Sequence, residues 1–173
     1  MDGLDQTIES HRHRIFAFAY CLLGNRAEAE DVTQEVLVRL WRSHTRLDRT
    51  RIKAWLTSVT RNACIDALRR RDRDPAAPAP APSLQRVDAV PSQADPAHAS
   101  LELSELGERV AAALHALSEP YRSIVVLREI QGMTYDEIAR ALDLPLNTVK
   151  VYLHRGRRRL RDALREARQH GEL

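Results

Sequence analysis

Eight basic side chains crowd one stretch: Lys150, Arg155, Arg157, Arg158, Arg159, Arg161, Arg165 and Arg168. Only Asp162 and Glu166 oppose them, so this stretch carries +6 where the whole 173-residue chain carries +3. Guanidinium and ammonium groups at that density bind a polyanion, and phosphates of nucleic acid are the natural one. A second group is Trp55 with Arg61, Asn62, Arg69, Arg70, Arg71 and Arg73. Here an amide can pair with a base edge and an aromatic ring can stack on an unpaired base. A third group is acidic. Glu28, Asp31 and Glu35 lie beside Gln34, Leu37 and Val38, with Arg39 and Arg42 following. Acids early and bases late suit any helix dipole, but the mixed polar and apolar stripe beside them suits docking onto another protein's helices.

The chemistry of turnover is missing. The six glycines are scattered and form no phosphate-cradling loop. No nucleophile motif, HExxH or defensible carboxylate pair occurs. His11 and His13 have no third ligand nearby, and the acids at 28, 30, 31 and 35 stand among arginines, so no metal is expected. No cofactor is expected, and the chain does not read as an enzyme. Cys21 and Cys64 are far apart in apolar segments and read as free buried thiols of a reducing compartment. No apolar run approaches the ~20 residues that span a bilayer. The polar start MDGLDQTIES is unlike a signal peptide. A cytoplasmic protein without membrane insertion is expected.

Helices must position these groups. Apolar residues recur at helical spacing through 5–23 (Ile15, Phe16, Ala19, Leu22, Leu23), with Gly24 just past the end. A second helix runs from the cap-like pair Asn25 and Glu28 to about Ser43, with Val32, Val36 and Leu40 as its core face. The polar loop Ser43 to Arg51 precedes a third, from about Ile52 to Arg71, with Trp55, Leu56, Val59, Ala63 and Leu68 facing the core and its arginines facing elsewhere.

Six of the eight prolines fall between Asp74 and Ser100, among alanines and few large apolar residues. That composition cannot offset its own ordering entropy, and it reads as a disordered linker. Helical periodicity resumes with Leu103, Leu106, Val110, Ala113, Leu114 and Leu117. Ser118 is a candidate cap for a further helix carrying Ile124, Val125, Leu127 and Ile130. Thr134 and Glu137 then have capping-box spacing, Ile138, Ala139 and Leu142 form an apolar face, and Asp143-Leu144-Pro145 stops the helix. Asn147 is a candidate N-cap of the last helix, where Val149, Leu153 and Leu160 point inward and the basic residues outward.

Two helices across a tight turn, the second basic, form the pattern of a DNA-binding helix-turn-helix. The expected fold is therefore all-α. A first helical domain (1–73) and a second containing the helix-turn-helix (101–173) are joined by a flexible Pro/Ala-rich linker (74–100).

Laid out in order, the chain resembles bacterial RNA polymerase sigma factors of the small, two-domain extracytoplasmic-function type. AEAEDVTQEVLVRLWR (27 to 42) looks like that family's polymerase-docking helix. AWLTSVTRNACIDALRRR (54 to 71) looks like its −10-reading segment, and the stretch from Leu117 to Arg161 like its −35-reading domain. The resemblance implies a chain that binds core RNA polymerase and directs promoter-specific initiation at −10 and −35 elements, usually restrained by an anti-sigma factor. It places Asp31, Gln34, Glu35, Leu37, Val38 and Arg39 on the polymerase, with Leu37 where the family commonly has Phe. It places Trp55, Arg61, Asn62, Arg69 and Arg70 at the −10 element, and makes the loop from Ser43 to Arg51 a pocket for an extruded base. Asn147, Thr148, Lys150, Val151, His154 and Arg155 fall at −35 base edges, and Arg157 and Arg158 on phosphates. Two other readings stay open on the residues alone: a stand-alone helix-turn-helix regulator, which leaves the first half unexplained, and a helical adaptor, which leaves the basic helix unexplained.

Overall fold

The structure, a computed structural model, describes residues 2–43, 48, 50–73 and 98–170. Every regular element among them is helical. In chain order these are α1 (Asp2–Leu23), α2 (Arg26–Ser43), α3 (Ile52–Arg73), α4 (His98–Ala116), α5 (Tyr121–Val125), a π-helical turn (Val126–Ile130), α6 (Tyr135–Leu142) and α7 (Leu146–His170). The expected linker lies outside the described residues from 74 to 97, and its last three residues form the first turn of α4. The side chains of Leu103, Leu106 and Arg168 and most of the expected base pocket (44–47 and 49) also lie outside them.

Helices α1, α2 and α3 close on one another through Ile15, Phe18, Leu22, Val32, Val36, Leu40, Leu56 and Cys64, all buried. The opening of α2 is half of the capping box its sequence suggests. Asn25 Oδ1 accepts from the Glu28 amide at 3.1 Å, but the Glu28 carboxylate turns away to the Arg71 guanidinium of α3. Arg71 therefore does not face outward as expected. Its side chain is 12% exposed, and it also donates to the Leu23 carbonyl at 3.2 Å. A cation at the C-terminal end of α1 meets the negative end of that helix's dipole.

The second half buries Leu114 of α4 and Leu117 just past its end in one cluster with Ile124 and Val125 of α5 and Val149 and Leu153 of α7. Two local expectations fail here. Ser118 makes no side-chain cap: Pro120 precedes α5, and the Ser118 carbonyl accepts from the Arg122 amide. Ile130 is half exposed rather than core, because the π turn shifts the register and buries Val126 instead. Gly156 is the close-approach point of the bundle. A Cβ there would stand 2.7 Å from Val125 Cγ2, so α7 crosses α5 where it has no side chain.

The two halves do not stand apart. α3 packs on α6, and α1 on α4 and the π turn. Arg122 is a hub of this junction. It donates to the carbonyls of Leu22 (2.9 Å), His115 (2.7 Å) and Leu117 (3.0 Å), so one guanidinium closes the C-terminal ends of α1 and α4 together. Gly24, with φ of +65°, turns the chain out of α1 against the His115 ring, which a Cβ would meet at 2.5 Å. Gln131 donates to the Arg14 carbonyl at 2.8 Å, and Lys53 bridges to Glu137 at 2.6 Å.

Candidate nucleic-acid interface

The helix-turn-helix forms as its spacing requires. The Thr134 hydroxyl accepts from the Glu137 amide at 3.2 Å, and the Glu137 carboxylate accepts from the Thr134 amide at 2.7 Å. Ile138 and Ala141 bury the inner face of α6. Asp143 then adopts a left-handed conformation (φ 53°), and the Leu144 amide donates back to the Ala139 carbonyl. That left-handed residue, together with Pro145, makes the tight turn.

Asn147 does not cap α7. The helix begins at Leu146, directly after Pro145, whose carbonyl accepts from the Val149 amide at 3.1 Å. Pro145 occupies the cap position, where its missing N–H costs nothing, and the helix starts two residues sooner than an Asn147 cap would set. The correction leaves Asn147 exposed on the outer face of α7 rather than spent on the backbone.

Val149, Leu153 and Gly156 are buried and Leu160 half-buried, so the basic face is turned outward as expected. Lys150, Val151, His154, Arg155 and Arg158 are exposed on it, with Thr148 half-buried at its edge. Two exposed arginines on the helix are engaged by other side chains of the protein. Arg157 is held by Glu129, Nη2 to Oε1 at 2.6 Å, and that carboxylate raises the guanidinium's already high pKa. Arg159 lies over the Tyr121 ring at 4.3 Å. Arg157, expected on phosphate, thus carries its own counter-ion, whereas Arg158 has none among the described residues.

The α3 group divides. Asn62, Arg69 and Arg70 are exposed, with Arg69 3.7 Å from Asp66. Trp55 packs half-buried against the core. Arg61 is turned into the junction between the halves. Its Nη2 stands 3.3 Å from Glu119 Oε2 and its Nε donates to Ser123 Oγ at 3.2 Å, leaving the side chain 21% exposed. Just before α3, the Asp48 carboxylate accepts from the Thr50 amide at 3.0 Å, which holds its pKa below the usual carboxylate range.

On α2, Asp31, Gln34, Glu35, Val38 and Arg39 are exposed together, and Val38 is 48% exposed among them. Leu37 is half-buried. With Gln34, Phe16, Arg12 and His13 it lines a groove of about 540 Å³ between α1 and α2. Asp31 and Glu35 line another, of about 260 Å³, facing Arg70 and Arg71. The acids and the mixed polar and apolar stripe of α2 thus open onto different grooves, and the part α1 plays in the second was not legible in the sequence. Nor was the inward turn of arginines 61, 71 and 122.

Cys64 is buried and Cys21 half-buried, both as free thiols. Burial pushes Cys21 up to about 11, and burial followed by the Glu119 and Glu28 carboxylates pushes Cys64 higher. Among the described residues no group of three or more His, Cys, Asp or Glu could hold a metal, and no helix is long and apolar enough to cross a membrane.

Comparison with known proteins agrees with this geometry. Residues 7–74 match the family model Sigma-70 region 2, and residues 107–160 match Sigma-70, region 4. The chain is 36% identical over 164 residues to the ECF RNA polymerase sigma factor SigE of Mycolicibacterium smegmatis, covering 95% of this chain and 62% of that protein. It thus spans under two thirds of that relative's length. It is 30% identical over 172 residues to the ECF RNA polymerase sigma factor SigW of Bacillus subtilis, covering 95% of this chain and 90% of that one. The fold matches the sigma factor RpoE of Bartonella quintana, solved in complex with the anti-sigma factor NepR. That match has a TM-score of 0.72 at 24% identity over 95% of this chain and 98% of that one. CnrH, solved in complex with the cytosolic domain of CnrY, matches with a TM-score of 0.67 at 25% identity over 95% and 88%. Two sigma-70 regions in order, each built around the surface its sequence marks out, decide the matter: the chain belongs to the ECF family of RNA polymerase sigma factors.

Proposed function

We propose that this sigma factor binds core RNA polymerase with the exposed face of α2 and reads promoter DNA with two surfaces. The outer face of α7 takes the −35 major groove. The exposed part of α3, with the loop before it, takes the −10 element. The observation that supports this most is the outward face of α7, where Asn147, Lys150, His154, Arg155 and Arg158 are exposed beyond a formed helix-turn-helix. Side chains near the start of such a helix reach base edges, while those further along hold phosphates. The protein acts in the cytoplasm by binding and positioning, and RNA synthesis belongs to the polymerase.

Residues 1–73 and 98–173 serve as the two reading domains, with 74–97 as their tether. A stretch of ~24 residues can span at most roughly 80 Å, enough to let the halves part. They need to part for −10 reading, because Arg61 is occupied by Glu119 and Ser123 in the packed arrangement. A partner that favours the packed arrangement would act as an anti-sigma factor. RpoE of Bartonella quintana was itself solved with an anti-sigma factor bound.

A gel shift tests the reading. The chain alone should leave duplex promoter DNA unshifted, and the holoenzyme should shift it. A specific shift by the chain alone would instead favour a stand-alone regulator.

A further inference from the structure

Four large apolar side chains are exposed among the described residues: Val38, Trp41, Ile130 and Val151. Only Val151, 46% exposed, lies on the recognition helix. An α-helix turns about 100° per residue, so Val151 lies roughly opposite the inward seam of Val149, Leu153 and Leu160. It faces away from that buried seam. Asn147 stands one turn before it, Arg155 one turn after and Arg158 about two turns after, all exposed. The nearest carboxylate on that face, Asp162, is three turns further on.

A valine at the centre of a basic face neither neutralises a phosphate nor donates a hydrogen bond. Its surroundings nevertheless select DNA rather than an apolar protein surface, since Lys150, Arg155 and Arg158 would be desolvated against the latter. In the major groove the bases display one apolar group, the 5-methyl of thymine. We propose that Val151 reads that methyl, so that the −35 element requires a T·A pair recognised by apolar contact. This rests on the assignment of α7 to the −35 groove. One helical turn rises ~5.4 Å, between one and two base steps of ~3.4 Å, so a guanine read by Arg155 would lie within about two base pairs of the thymine.

The test uses holoenzyme assembled from the full chain and core polymerase. It first selects −35 duplexes from a random library, and an invariant T·A pair is expected. Each selected thymine is then replaced by deoxyuridine, which removes the methyl and leaves every hydrogen-bonding group. At one position the wild-type holoenzyme should lose about fourfold in promoter binding, as expected for one methyl-sized apolar group. With Val151→Ala that penalty should vanish while the preference for guanine nearby persists. With Arg158→Ala the penalty should remain, on top of a uniform loss. The inference is overturned by a selected element without a T·A pair, by deoxyuridine costing nothing anywhere, or by an undiminished penalty in Val151→Ala. Each of these leaves the −35 reading standing. A holoenzyme with no −35 preference at all would remove that reading and this inference together.

Discussion

Arg61 reaches from α3 to Glu119, at the entry to α5, with 3.3 Å between Nη2 and Oε2. The same carboxylate oxygen accepts from Ser123 at 2.6 Å, and the other, Oε1, is buried without a partner. A side chain proposed for the −10 surface therefore serves as a strut between the two halves. Glu119→Gln should weaken that strut, because removing the charge leaves Arg61 without its counter-ion in a mostly buried site, at about 1–3 kcal/mol. The expected outcome is a larger radius of gyration in small-angle scattering and faster association with core polymerase. An unchanged radius would show that the strut does not hold the halves together.

Acid should loosen the fold in two steps. His115 is pushed down from 6.5 to about 4 by burial first, then by the Arg122 and Arg71 guanidinium groups. Its folded pKa lies below the unfolded one, so stability falls as pH drops from about 6.5 to about 4. Glu137 is held down from 4.5 to about 2, chiefly by the hydrogen bond from Lys53 and then by the Thr134 amide. Its contribution is present above 4.5 and is lost as pH falls towards 2. In urea titrations across pH, His115→Gln should flatten the upper window and Glu137→Gln the lower one.

Gly156→Ala should not stabilise α7. Helix propensity favours alanine by about 1 kcal/mol, but the new Cβ would stand 2.7 Å from the buried, stiff Val125 side chain. Overpacking of this kind costs about 1–3 kcal/mol. Thermal denaturation should show Tm unchanged or lowered. A clear rise in Tm would mean that α7 can shift away from α5 without loss.

On the outer face of α7 the two kinds of contact should separate. Arg158→Ala should weaken holoenzyme binding alike on all promoters and reduce the salt slope by about one. Lys150→Ala or His154→Ala should change sequence preference, by about 1–3 kcal/mol at one position. Arg157→Ala should do less than Arg158→Ala, because Glu129 already neutralises it. Equal losses on every promoter from all four changes would contradict the assignment.

The helix-turn-helix was legible because its signals are local. Thr134 and Glu137 lie three residues apart, and the inward seam of α7 repeats at helical spacing. Asn147 misled because two good helix starters stand close together and the proline acts first. The charge of Arg61, Arg71 and Arg122 was plain in the sequence, but not its direction. Each reaches an acceptor far along the chain, 58, 43 and 100 residues away, at Glu119, Glu28 and Leu22. No period encodes a partner at that distance. The packed arrangement of the two halves was hidden for the same reason, since a linker rich in proline and alanine permits separation without requiring it.

Run-off transcription with purified sigma-free core polymerase and a promoter library tests the central claim most directly. Addition of this chain should produce transcripts from a discrete set of start sites sharing one −10 and one −35 sequence, and Asp31→Lys together with Glu35→Lys on α2 should abolish them. A chain that fails to associate with the core, or that associates without changing where transcription begins, would contradict the account.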